Sequence, residues 1–263
     1  MASRPATPPP CVVMPLYIYP LTETTWKPLY EAIEAHPYID FLVIVNPNSG
    51  PGDGPLPGAD YEREVPKLNA FRNVRTVGYI RIDYCRRPLQ EVCAEVQRYA
   101  NWKGLYEGLY VEGIFVDESP NHFSDQRQAY LKGLTEFIKN GAASDGLCGE
   151  RWVIHNPGTP PEGTLEQFGC PDIICACEEP YHKYCRPDVQ HRLDFYHVDF
   201  ERNALLISGI GHHEIEDAVE GMCGRGRYIF ATDLVDNFYE SFGQSWERFV
   251  RAVAAGKKRR DCC

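Results

Sequence analysis

Eight short apolar runs, separated by stretches of helical periodicity or of turn residues, limit how this chain can fold more than any other feature. They are Val12–Tyr19, Phe41–Val45, Thr76–Ile82, Gly113–Asp117, Arg151–His155, Ile173–Glu178, Leu205–Ile210 and Tyr228–Thr232, spaced as βα units are. Phe41-Leu42-Val43-Ile44-Val45 is apolar at every position. Such a run must be buried on both faces, as a parallel strand is between a helical layer and a packed interior. Helical periodicity is clearest over Leu89–Trp102 and over Asp125–Asn140, which Gly141 stops, and Tyr239–Ala254 is expected to close the series. The connection from Pro160-Pro161 to Gly169 allows only a short helix and His182–Asp199 carries little apolar periodicity, so both units are expected to be irregular. Eight such units in 263 residues predict a single-domain α/β fold, a (β/α)8 TIM barrel, which typically needs ~250 residues. An open Rossmann-like sheet is the alternative, but no G-x-G-x-x-G follows a strand and no Walker A pattern occurs. The expected organisation is a disordered Pro-rich leader at 1–11, the barrel at 12–254, and a basic tail at 255–263 ending in Cys262-Cys263.

The net charge of −10, with a dense basic run only at Lys257-Lys258-Arg259-Arg260, argues against nucleic acid as a partner, because phosphate contact needs clustered cations. A neutral or cationic ligand is the easier fit. No apolar stretch approaches the ~18 residues of a membrane span and no signal peptide is visible. The expectation is therefore a cytoplasmic protein as written, or a secreted one if a leader has been removed. The eleven cysteines are odd in number and scattered, which favours reduced thiols. Cys170, Cys175, Cys177 and Cys185 with His182 lack a C-x-x-C knuckle, and Cys175 and Cys177 are expected on one face of a strand, so no metal site and no cofactor are expected. The double-cysteine end is similar to a lipidation tail but is not a C-a-a-X box.

Barrel chemistry is built at the C-terminal ends of the strands. The polar residues there are Asn46, Asp83, Asp117-Glu118, His155-Asn156, Glu178-Glu179, His212-His213 and Thr232-Asp233. Polar residues also simply stop strands. Asp117-Glu118 is harder to explain that way, because adjacent acids after a buried strand repel each other and lose hydration. Alternation of Cβ directions prevents both from facing the interior unless the chain has already turned. Glycoside hydrolysis needs two flanking carboxyl groups, which strands four and six can supply. Tyr17, Tyr19, Tyr79, Tyr84 and Tyr181 lie near the same mouth, where sugar C–H faces can stack.

Asn46-Pro47-Asn48-Ser49-Gly50-Pro51-Gly52, Gly78-Tyr79, the Gly-Ile-Phe-Val-Asp-Glu run at 113–118 and Asn156-Pro157-Gly158 resemble, in the same order, the spherulin 4-like proteins over about residues 12–250. That group includes glycoside hydrolase family 135, whose members are (β/α)8 barrels that hydrolyse α-1,4-linked N-acetylgalactosamine in galactosaminogalactan. The resemblance implies that Asp117 and Glu118 are the acidic pair of strand four and that the acid of strand six is Glu178 or its neighbour Glu179, of which Glu178 is taken because it directly follows the strand. It puts Asn46, Tyr79 and Asn156 on motif positions and favours Tyr181 as a sugar contact; His212 and Asp233 join them as substrate-binding candidates from their strand ends. The expected activity is a glycosidase acting on an amino-sugar glycan through Asp117, Glu118 and Glu178. The alternative is a spore- or stress-related barrel that binds carbohydrate without turnover. A phosphate-ester enzyme is weakly suggested by Gly209-Ile210-Gly211, since Gly224-Arg225-Gly226 precedes strand eight. The characterised hydrolases of the family resemble secreted or membrane-anchored proteins, whereas this chain shows no export signal.

Overall fold

A computed structural model describes residues 9–141, 145–196 and 199–261, with side chains as far as residue 256. Eight strands, β1 (Cys11–Leu16), β2 (Asp40–Val45), β3 (Val74–Arg81), β4 (Gly113–Asp117), β5 (Trp152–His155), β6 (Ile173–Pro180), β7 (Asn203–Ser208) and β8 (Tyr228–Ala231), pair in parallel in sequence order, and β8 closes on β1. The helices are α1 (Lys27–Ala35), α2 (Ala59–Asn69), α3 (Leu89–Leu105), α4 (Asp125–Asn140), α5 (Tyr181–Tyr184), α6 (Pro187–Phe195), α7 (Ile215–Cys223) and α8 (Trp246–Asp261). The fold is the expected (β/α)8 barrel in one domain. Among the described residues no helix is long and apolar enough to cross a membrane.

Several boundaries differ from expectation, most by one to three residues. β1 begins at Cys11, one residue inside the expected leader, because Cys11 pairs with both Asp40 and Tyr228 and closes the barrel. Residues 1–8 lie outside the described residues. The segment after β6 is not irregular but holds α5 and α6, each with a proline just before it or at its first position, where a missing N–H costs nothing. After β5 there is only a 3-10 turn, Leu165–Phe168, as Pro160-Pro161 suggested. α8 begins at Trp246 rather than Tyr239 and runs to Asp261, through most of the expected tail; Cys262-Cys263 lies outside the described residues.

Paired residues in a parallel ladder point to the same side, so the register fixes which residues face the barrel axis. Trp152 of β5 and Tyr228 of β8, on strands that are not neighbours, meet edge-on across the interior with ring centroids 6.3 Å apart. From these two the register carries the inward face to Gly113, Phe115 and Asp117 on β4, to Tyr79 and Arg81 on β3, and to Leu42 and Ile44 on β2. On β6 it reaches Ile173 and Cys175, after which the ladder shifts by one residue: Cys175 pairs with Ala204 but Cys177 with the next residue, Leu205. The bulge at Ala176 therefore separates Cys175 and Cys177 onto opposite faces, overturning the expectation that they share one. It also turns Glu178 inward and Glu179 outward, settling which glutamate faces the axis.

Candidate active site

Five chain segments converge at the C-terminal mouth. Asp117, the last residue of β4, accepts a hydrogen bond at Oδ2 from the Tyr79 hydroxyl, 2.6 Å, and one at Oδ1 from the Asn156 amide, 2.8 Å. The same Asn156 Nδ2 donates to Glu178 Oε2 at 2.5 Å, and the Tyr239 hydroxyl donates to Glu178 Oε1 at 2.6 Å. One amide nitrogen thus ties the carboxylates of β4 and β6 together, and their facing oxygens can stand no farther apart than about 5.3 Å. The orientation of Asn156 is fixed from behind, where its Oδ1 accepts from the N–H of Gly158, 3.1 Å, so that both amide protons point at the acids. Gly158 adopts φ +67, which glycine supplies without steric cost. This gives Asn156-Pro157-Gly158 a physical reason.

Gly78-Tyr79 has another. A Cβ on outward-facing Gly78 would stand 2.7 Å from the Tyr99 ring; without it Tyr99 passes close to the strand and its hydroxyl donates to the carbonyls of Tyr79, 2.9 Å, and Val45, 3.2 Å. The inward Tyr79 ring stacks on Phe115 at 6.2 Å and meets Tyr17 edge-on at 5.5 Å, and Tyr17 meets Tyr239 at 5.2 Å. An aromatic cage therefore surrounds the acids. Burial and then the Asp117 carboxylate push the Tyr17 and Tyr79 hydroxyls upward, and burial and then Glu178 do the same to Tyr239. All three stay protonated, and Tyr79 and Tyr239 can only donate to the carboxylates they meet. Burial also raises Glu178 above the ordinary glutamate range; the bonds from Tyr239 and Asn156 oppose that rise, and the charge of Asp117 adds to it.

Glu118 follows immediately but differs in every respect. The strand has ended, and Glu118 stands at φ +52, so the chain has already turned and strict alternation no longer applies. Its Oε1 lies 3.6 Å from Arg81, whereas its Oε2 is buried with no hydrogen-bond partner. A buried acceptor without a donor costs free energy unless a ligand supplies one.

The remaining candidates take other places. Asn46 shapes its loop, its Oδ1 accepting from the N–H of Gly50 at 3.0 Å. Asp233 accepts from the N–H and hydroxyl of Ser245, 3.1 and 2.8 Å, and from the N–H of Gln244, 3.3 Å. Burial pushes its pKa up, but these bonds outweigh that and hold it below the usual aspartate value. They pin both ends of the β8–α8 loop, whose Tyr239 reaches Glu178. Tyr181 opens α5 and stacks with Tyr184, centroids 6.3 Å apart. His212 is exposed and lies edge-on to His213, and its carbonyl accepts from Arg248. Glu179 faces Lys183 at 3.5 Å. Tyr239 and Arg81 were not foreseen. Arg81 was legible from alternation with Tyr79, whereas Tyr239, read as the start of a helix, gave no signal.

The fold and the site define a (β/α)8 barrel whose carboxylates gather at the mouth among aromatic and amide groups, a form suited to binding carbohydrate. The family described as "Spherulation-specific family 4" matches residues 11–253, and the chain belongs to it. "Spherulin-4" of Physarum polycephalum is 32% identical over 151 residues, a stretch that covers 57% of this chain and only 40% of that protein. Aspergillus clavatus Sph3, solved in complex with GalNAc, superposes with a TM-score of 0.86 at 31% identity, covering 95% of this chain and 99% of that one.

Proposed function

We propose that the protein is a glycoside hydrolase acting on glycans that contain α-linked N-acetylgalactosamine, with Glu178 as the proton donor and Asp117 as the nucleophile. The observation that carries this reading is the Asn156 bridge, which holds the two carboxylates within about 5.3 Å. Retaining glycosidases separate their acids by ~5–5.5 Å, while inverting ones need ~6.5–9.5 Å to admit water between acid and sugar. Retention is the expected stereochemical course. Glu178, raised by burial, keeps its proton to higher pH and can deliver it to the glycosidic oxygen as the bond breaks. Asp117, steadied by Tyr79 and Asn156, attacks the anomeric carbon; water then releases the sugar with Glu178 now acting as base. Glu118 offers its unpartnered Oε2 to a substrate O–H or N–H. The GalNAc complex of Sph3 supports the sugar class, and the family resemblance of the motifs supports the linkage.

The test is to measure reducing ends released from galactosaminogalactan and related α-linked glycans, and to follow the anomer first formed by proton NMR. Inactivity of the wild type across the panel overturns the reading, and an inverted first product overturns the role given to Asp117. A second reading, sugar binding without turnover, is favoured by the saturation of Asp117 and Glu178 by their own tyrosine and amide donors. It predicts binding that survives amide replacement of all three acids, measured by isothermal titration, with no products.

A further inference from the structure

Between β3 and α3 three consecutive non-glycine residues, Asp83, Tyr84 and Cys85, stand at φ +48, +52 and +68, and no other described segment has such a run. L-residues adopt the left-handed region reluctantly, so a run of three persists only when its surroundings over-determine it. Those surroundings are the acids' own backbone. The N–H of Ile82 donates to the Asp117 carbonyl at 3.1 Å, and the N–H of Tyr84 donates to the Glu118 carbonyl at 2.8 Å. Asp83 pairs with Arg86, whose N–H returns to the Asp83 carbonyl at 2.8 Å, and Arg87 ties Glu95 to the Arg81 carbonyl.

The product of this winding is an aromatic ring displayed to solvent. Tyr84 is 47% exposed, and the Arg86 guanidinium stands 5.6 Å from its ring centroid. An ordinary turn would close the same connection without left-handed residues and need not carry a bulky apolar ring in water. Because the N–H of Tyr84 bonds to the carbonyl of Glu118, the backbone that carries the ring is held beside the acids on the rim of the mouth.

We propose that Tyr84, backed by Arg86, is a stacking platform for a sugar ring of the same glycan, beyond the residues that flank the cleaved bond, so that the protein selects longer chains. Tyr84 packs against the C–H face of a pyranose, and the Arg86 cation over the ring fixes the platform. This rests on the proposed glycosidase reading, and it adds a requirement for chain length.

The experiment compares kcat/KM on α-1,4-linked N-acetylgalactosamine oligosaccharides of increasing length. Tyr84→Asn is the informative variant, since asparagine tolerates left-handed backbone and removes only the ring. The ratio of kcat/KM on long over short oligosaccharides is expected to fall about tenfold in Tyr84→Asn and to return in Tyr84→Trp. A ratio unchanged in Tyr84→Asn, or a loss equal at every length, overturns the proposal. If the wild type turns over none of the series, the glycosidase reading fails separately. The same ratio taken from wild-type and Tyr84→Asn dissociation constants then decides the platform: a lost advantage for long chains supports it, and an unchanged one overturns it.

Discussion

The two ends of the barrel both place carboxylates on the axis and partner them in opposite ways. At the N-terminal end Asp40 meets Arg227 at 3.0 Å and Arg75 at 4.0 Å, beside a small cavity that Cys11, Trp152 and Tyr228 also line. At the C-terminal end Asp117 and Glu178 are met by two tyrosines and an asparagine, all neutral. An arginine neutralises a carboxylate and fixes it as structure. Neutral donors orient the group and leave its charge, and for Glu178 its proton, available for chemistry. Arg81, on the inward face of β3, goes to Glu118 and not to the bridged pair.

The strongest test of this contrast is Glu178→Gln. Loss of a general acid removes 10²–10⁴ in rate, so kcat on a cleaved glycan should fall about 10³-fold, roughly 4 kcal/mol of barrier. Stability should move the other way or not at all. A carboxyl raised on folding binds its proton more tightly in the folded chain, so folding is favoured at low pH and loses ground as pH rises from the ordinary glutamate value through the raised one. Glutamine never ionises, so above that window the variant should melt at the same temperature or higher. A clear fall in melting temperature at neutral pH, with activity kept, would show Glu178 to be structural.

Asp40→Ala is the matching change at the other end and should cost stability alone. It leaves Arg227 and Arg75 without their shared carboxylate, a loss of about 1–3 kcal/mol, or a few degrees in melting temperature for a chain of this size. Turnover should stay within twofold. A large fall in kcat without a change in melting temperature would erase the distinction between the two ends.

Much of this architecture could be read from the sequence because its determinants are local. β4 and α4 match their expected bounds residue for residue: β4 is an apolar run that ends in a charge, and Ser124 and Gly141 flank α4, with the Ser124 hydroxyl accepting from the N–H of Arg127. The acids were legible as strand ends. That strands four and six supply the flanking carboxyl groups was expected as well; the inward turn of Glu178 was not legible, because it depends on a bulge at Ala176 that no local signal marks. Tyr239 escaped for a related reason. Its neighbours Phe238, Phe242 and Trp246 mimic a helical stripe, while Asp233 and Ser245 instead clamp the segment as a loop. Cys175 and Cys177 misled in the same way, since two-residue periodicity holds only while the register does.

Tyr239→Phe separates orientation from chemistry at the mouth and should have the smallest effect. The ring stays, packed against Tyr17 and Phe230 at 5.2 and 5.4 Å, and only the bond to Glu178 Oε1 is lost. That bond stabilises the ionised carboxylate, so its removal lets burial raise Glu178 further. If Glu178 is the proton donor, the basic limb of the kcat/KM profile should move to higher pH, with a loss of no more than about tenfold at the optimum, the order of one hydrogen bond. An acidic limb that moves to higher pH while the basic limb stays would mean that Glu178 must be ionised to act, and would exchange its role with that of Asp117. Limbs that both stay in place while the rate falls would reduce Tyr239 to a packing residue and weaken the case that neutral partners tune this end of the barrel.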